Sequence, residues 1–140
     1  MTALVIAVVL VPVIDQAIKH LVRDHVGTRS VSLGVLGDLR VVQTEVWAMR
    51  VVGRVSATAL WFVWFVAAGA CAMVSSLVPS SAWAFGLLLG GSLSHALETT
   101  FRGFICDYVC LRFWPAFNLA DIALVVGGFG VAIELFGALR

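Results

Sequence analysis

Apolar residues in this chain are gathered into long runs separated by short polar stretches, and the runs lack the narrow amphipathic stripe of a surface helix. A helix needs about 20 mostly apolar residues to cross the hydrocarbon core of a bilayer. On that length the pattern predicts helices over residues 2–22, 57–78, 83–101 and 116–139. The expected fold class is therefore an all-α membrane protein with four transmembrane helices, a single integral membrane domain over residues 1–140.

The loop over residues 23–55 reads differently. Short alternating pieces, VSLGVL and DLRVVQT, are punctuated by Gly27, Gly34 and Gly37, which predicts small strands between helices 1 and 2. Residues 44–55 suit a short interfacial helix, with Trp47 among its apolar positions. Its apolar residues are so spread out that the stretch from Arg29 to Arg54 is expected to be a mobile lid, with Trp47 as its contact to substrate or lipid.

Helix-packing signals are strongest in the later runs. Residues 57–78 are uncharged and open on Trp61, Phe62, Trp64 and Phe65, an aromatic belt that predicts scaffold. SSLVPSS, residues 75–81, fits a tight turn. Gly86 and Gly90 make a small-xxx-small pattern, followed by Gly91, so a neighbouring backbone can approach. Pro115 suits the first turn of the last helix, and Gly127, Gly128 and Gly130 suit packing farther along it.

Composition narrows the class. With 61% hydrophobic residues and a mean hydropathy of +1.05, the chain lies outside the soluble range. A net charge of +1 and the lack of a basic run exclude a nucleic-acid partner. Cys71, Cys106 and Cys110 are odd in number and predict buried thiols, not a disulfide framework. The first apolar run has neither a basic flank before it nor a small-x-small cleavage site after it, so it reads as a retained helix.

Against this background the charged positions stand out, because an ionised side chain at a helix centre in a membrane costs about 2.5 to 3.5 kcal/mol. Asp15 and Lys19, four apart, fit either an ion pair reaching the interface or a functional pair. His95 and Glu98 end the third run, and a lone histidine near a helix end is more often a hydrogen-bonded structural residue than a functional one. Asp107 and Asp121 flank the start of the last helix. If they meet, they share a proton and can run aspartyl acid/base hydrolysis; spacing alone favours two unrelated surface acids.

The order of residues favours the first reading. GGSLSHALET, GFICDY and FNLAD resemble, in sequence and order, three motifs of the lipoprotein signal peptidase (signal peptidase II) family: Gly-Gly-Ala-x-Gly-Asn-x-x-Asp-Arg, Gly-x-Val-x-Asp-Phe and Phe-Asn-x-Ala-Asp. Phe117, Asn118, Ala120 and Asp121 match the last completely, and Gly103, Asp107 and Tyr108 fit the second. Asp15, Gln16 and Lys19 resemble the Asp-Gln-x-x-Lys that closes the family's first helix.

The resemblance implies an outward-facing active site in the bacterial cytoplasmic (inner) membrane, cytoplasmic termini and a small extracytoplasmic β-rich cradle between helices 1 and 2. Asp107 and Asp121 would be catalytic, and Asn118, His95, Asp15, Lys19, Gln43 and Trp47 would bind substrate. The reaction implied is removal of the signal peptide from diacylglyceryl-modified prolipoproteins, without metal or cofactor. The expected partners are that substrate and membrane lipid, and the expected state is a monomer. The arginines run against this orientation, since Arg23, Arg29, Arg40, Arg50, Arg54, Arg102 and Arg112 fall on the outer side.

Departures from the motifs cluster around the substrate. Ser94 and His95 stand where the family has Gly-Asn, Glu98 and Thr99 replace Asp-Arg, and Gln43 and Thr44 stand in a poorly matched outer-loop motif. They predict a divergent paralogue with altered substrate preference. The alternative is a catalytically silent paralogue that binds lipidated segments or assists envelope assembly. A metal site from His95, Cys106, Asp107 and Cys110 is a weaker rival, because the spacing fits no zinc motif.

Overall fold

A computed structural model describes residues 1–44, 56–138 and 140 of the chain. The proposed interfacial helix beyond Thr44, and Trp47 with it, lies outside the described residues. Four long helices dominate: α1 (Thr2–His25), α2 (Ala57–Leu77), α3 (Ala82–Arg102) and α4 (Leu119–Ala138). Among the described residues, α1, α2 and α4 are both long and apolar enough to cross a membrane. At 21 residues α3 is also long enough, at about 1.5 Å per residue, to span some 30 Å. It carries Ser92, Ser94, His95, Glu98, Thr99 and Thr100, and it tolerates them because it is the central helix, packed against α1, α2 and α4.

The helices alternate in direction. Leu4 of α1 packs on Ala82 and Phe85 at the start of α3, and Trp83 donates to Glu134 near the end of α4 at 3.3 Å. At the other end Trp61 of α2 donates to Thr100 of α3 at 3.1 Å, and the start of α4 meets the later turns of α1. Both chain termini therefore lie at one end of the bundle. Phe62, Val63, Phe65, Val66 and Met73 of α2 are exposed, the surface expected of a helix that faces lipid on most sides.

Glycine sets how closely the helices approach. A Cβ at Gly86 would lie 2.9 Å from the Leu4 carbonyl oxygen, and one at Gly90 would lie 2.7 Å from that of Ala7, so the small-xxx-small pair accepts the α1 backbone. Gly91 meets α4 in the same way, 2.7 Å from the Ala120 carbonyl oxygen. With no driving force from water inside a bilayer, these close contacts are what hold the helices together.

At the end away from the termini sits an antiparallel sheet in the order β1 (Val31–Ser32), β2 (Gly37–Thr44), β3 (Ile105–Leu111). Two strands lie between the first two helices, as the alternating pattern predicts. The third, ICDYVCL, comes from the α3–α4 connection, so the cradle is not confined to the first outer loop. Gly103 ends α3 in the left-handed region, φ +77°, where a side chain is disfavoured, and the chain turns directly into β3. Residues 37–44 pair along β3, with Val42 opposite Asp107 and Gln43 opposite Cys106. That part of the expected lid is hydrogen-bonded sheet.

The last helix begins later than expected. Phe117 exchanges backbone hydrogen bonds with Val109 at 3.0 Å in each direction, which extends the sheet past Pro115. α4 then starts at Leu119, so Pro115 lies in the approach to the helix and not in its first turn.

Candidate active site

The start of α4 is closed by a capping box. Asn118 Oδ1 accepts the Asp121 N–H at 3.1 Å, and Asp121 Oδ2 accepts the Asn118 N–H at 2.9 Å. The other early donors are also satisfied: the Leu119 N–H by the Tyr108 hydroxyl at 3.1 Å, and the Ala120 N–H by Asp15 Oδ1 at 3.2 Å. Helix starts leave such N–H groups orphaned, and here side chains from α1, β3 and the cap itself take them up. Asp121 is thus fixed at the third helical position, with Oδ2 in the cap.

Asp107 reaches the same point from β3. Asn118 Nδ2 donates to Asp107 Oδ1 at 2.6 Å, so one buried amide touches the side chain of one aspartate and the backbone N–H of the other. Burial pushes the Asp107 carboxyl above its ordinary value of 3.8. A hydrogen bond from Thr44 opposes that rise, the Asp121 charge adds to it, and Asn118 and His95 oppose it more weakly. Next along β3, burial drives the Tyr108 phenol up to about 12, so it stays protonated at neutral pH.

His95 Nε2 lies 3.4 Å from Asn118 Oδ1 and 3.6 Å from Asp121 Oδ1, close to both but within hydrogen-bond reach only of the amide. Beside Asp121 an apolar groove is lined by Trp114, Phe117, Ile122, Val125 and Val126. Gln43 lies on β2, exposed. Asp107, Asp121, Asn118 and His95 are therefore gathered in one place; Gln43 is one strand away.

Asp15 and Lys19 lie behind this group, Asp15 bonded to the Ala120 N–H, and the expectation that they reach the interface is corrected. Both are fully buried between helices, with no surface for touching a substrate. Lys19 Nζ lies 2.8 Å from Asp15 Oδ2 and 2.6 Å from Glu98 Oε2. Asp15 Oδ2 also accepts from Ser94 Oγ at 2.6 Å, and Ser94 Oγ accepts from Gln16 Nε2 at 2.9 Å. Glu98 receives the Cys106 N–H at 3.1 Å and Arg102 at 2.8 Å, with Arg23 at 3.5 Å. Sequence reading missed this network. Ser94 and Glu98 register only as departures from a motif, although an acid and a hydroxyl one turn apart on a membrane helix already call for partners.

A helical membrane bundle with two aspartates brought together at one end, beside an apolar groove, defines a class of membrane protein with a carboxylate site. The family model for Signal peptidase (SPase) II matches residues 6–137, and the chain belongs to that family. Lipoprotein signal peptidase of Mycobacterium leprae is 30% identical over 122 residues, covering 76% of this chain and 58% of the relative. That of Cellvibrio japonicus is 32% identical over 94 residues, 64% of this chain and 51% of the relative. That of Syntrophomonas wolfei is 44% identical over 54 residues, 39% of this chain and 36% of the relative. The matches thus span between about a third and three fifths of these relatives' own lengths. In fold, the chain is similar to a bacterial membrane enzyme solved at 1.9 Å, with TM-score 0.77 and 18% identity, over 96% of this chain and 93% of that one.

Proposed function

We propose that this chain is an aspartyl endopeptidase that removes signal peptides from diacylglyceryl-modified prolipoproteins, with Asp107 and Asp121 as its acid/base pair. The observation that carries the reading is Asn118, which hydrogen-bonds the Asp107 carboxylate and caps the helix turn bearing Asp121. Family membership supplies the substrate class.

The two environments divide the work. Asp107, pushed up by burial, is the group that holds the proton and polarises the scissile carbonyl. Asp121, more exposed and with Oδ2 taken by the cap, acts as the base through Oδ1. Water loses a proton to Asp121 as its oxygen bonds the carbonyl carbon. The C–N bond then breaks as the leaving nitrogen receives a proton from the pair. The apolar groove beside Asp121 offers a place for the lipid chains or the apolar signal peptide. Asn118 positions the dyad, His95 tunes substrate binding beside it, the exposed Gln43 is assigned to the substrate side, and Trp47 is assigned there from the sequence. Asp15 and Lys19 act from behind, as positioning groups.

In this reading α3 is the fourth span, the chain works as a monomer in the bacterial cytoplasmic membrane, and the sheet and dyad face outward. His95, which departs from the family pattern beside the dyad, suits an altered substrate preference. Purified protein should cleave lipid-modified prolipoprotein and leave the unmodified form intact; equal cleavage of both forms would remove the lipid from the function. A reporter fused at the C-terminus should report a cytoplasmic position, and an extracytoplasmic signal would reverse the orientation.

A further inference from the structure

Each proposed catalytic aspartate follows a residue whose backbone N–H is held by a buried carboxylate. Cys106, just before Asp107, donates to Glu98 Oε2 at 3.1 Å. Ala120, just before Asp121, donates to Asp15 Oδ1 at 3.2 Å. One ammonium joins the two acceptors: Lys19 Nζ lies 2.6 Å from Glu98 Oε2 and 2.8 Å from Asp15 Oδ2, and all three side chains are almost completely buried. We propose that Lys19 is a positioning residue that sets the spacing of the dyad by clamping β3 and the start of α4 through Glu98 and Asp15. The proposal rests on the aspartyl reading above and adds a determinant of its geometry.

The chemistry of each contact requires the next. The Ala120 N–H belongs to the first turn of α4 and has no partner within its own helix. Among the described residues the Phe117 bridge reaches β3 at Val109 and not at Cys106, and the Cys106 N–H turns to Glu98 instead of a ladder carbonyl. A carboxylate meets such a donor better than a neutral oxygen does, because charge-assisted hydrogen bonds are shorter and stronger. Two buried carboxylates this close repel one another and must be compensated. Arg102 and Arg23 approach Glu98 from its Oε1 side, so Lys19 is the cation that lies between Glu98 and Asp15. Without it the two acids repel and move apart, and the backbone bonds on which Asp107 and Asp121 depend lengthen with them.

A positioning role differs from simple cohesion in what it moves. Reacting groups displaced by about 1 Å lose on the order of 100-fold in rate, whereas a binding groove several side chains away need not change. Lys19→Met should therefore lower kcat about 10- to 100-fold on a lipid-modified prolipoprotein while KM stays within about twofold. The comparison is Leu4→Ala, which opens the small core at the opposite end of the bundle and lowers Tm without touching either clamp arm. It should leave kcat unchanged.

If Lys19→Met does not accumulate as folded protein, Asp15→Asn and Glu98→Gln serve in its place. Each keeps an oxygen for the backbone N–H and loses only the charge, and each should lower kcat at unchanged KM. The proposal is overturned if the folded variants keep wild-type kcat, if the loss falls on KM, or if Leu4→Ala loses as much kcat for the same fall in Tm. Wild-type protein that cleaves no lipid-modified substrate would overturn the aspartyl reading itself, and the clamp's catalytic role with it.

Discussion

Asn118 Nδ2 donates to Asp107 Oδ1 at 2.6 Å from a side chain whose oxygen caps α4, so a single amide serves both the site and the helix. The two duties separate by substitution. Serine is as good an N-cap as asparagine but is shorter and lacks the amide Nδ2 that reaches Asp107. Asn118→Ser should keep Tm close to wild type and lower kcat about 100-fold, as loss of one preorganised donor does. Asn118→Ala should lose the cap as well, about 1 kcal/mol of stability. Thermal melts beside turnover rates check both, and a fully active Asn118→Ser protein would remove the amide from the site.

Burial of Asp107 fixes a sign for the pH dependence of stability. Its folded-state pKa is raised, so the folded protein binds the proton more tightly than the unfolded chain. That contribution is fully present below 3.8 and is lost as pH rises through the raised value. Asp107→Asn carries no such charge. It should be inactive yet melt higher than wild type at neutral pH, with the difference shrinking as pH falls through the raised value toward 3.8. Melting curves across that range test it; a variant less stable than wild type at neutral pH would contradict the assigned direction.

His95 lies between Asn118 and Asp121 and, when charged, favours the ionised form of Asp107. Neutral imidazole both donates and accepts, as an amide does, but the charged ring only donates. His95→Asn should keep substantial cleavage, because the amide also offers both a donor and an acceptor beside Asn118 and Asp121. A well-folded but inactive His95→Asn protein would show that the imidazole itself is required.

Close helix contact supports the site from behind. A Cβ at Gly91 would lie 2.7 Å from the Ala120 carbonyl oxygen and 2.9 Å from Leu124 Cγ, so Gly91→Ala must push α4 outward next to Asp121. Overpacking of this kind costs about 1 to 3 kcal/mol. Gly91→Ala should lower both Tm and kcat, whereas Gly69→Ala, which points into open space on α2, should lower neither. Equal behaviour of the two variants would show that the α3–α4 approach is not constrained at Gly91.

The helices, the glycine contacts and the Asp107–Asn118–Asp121 group were legible because each rests on local pattern: run length, spacing of small residues, and motif order. β3 was not, since ICDYVCL is an apolar run without alternation and both its faces are largely covered. The start of α4 was misplaced because Pro115 fits a first helical turn as well as it fits the extended approach to Asn118. Burial of Asp15 and Lys19 was invisible for another reason. An acid and a base four residues apart look alike on a surface and in a bundle, and the partner that decides, Glu98, is 79 residues from Lys19. Long-range polar closure of this kind leaves no periodic trace.

Mass spectrometry of the products of a lipid-modified prolipoprotein tests the central claim most directly, with wild type, Asp107→Asn, Asp121→Asn and the double variant compared as folded, purified proteins. Wild type should release the signal peptide and leave a new N-terminus at the lipid-bearing cysteine. Each single variant should release none, and the double variant should be scarcely worse than either, because the two acids act as one unit. Turnover near the wild-type rate by either single variant would contradict aspartyl catalysis by this pair.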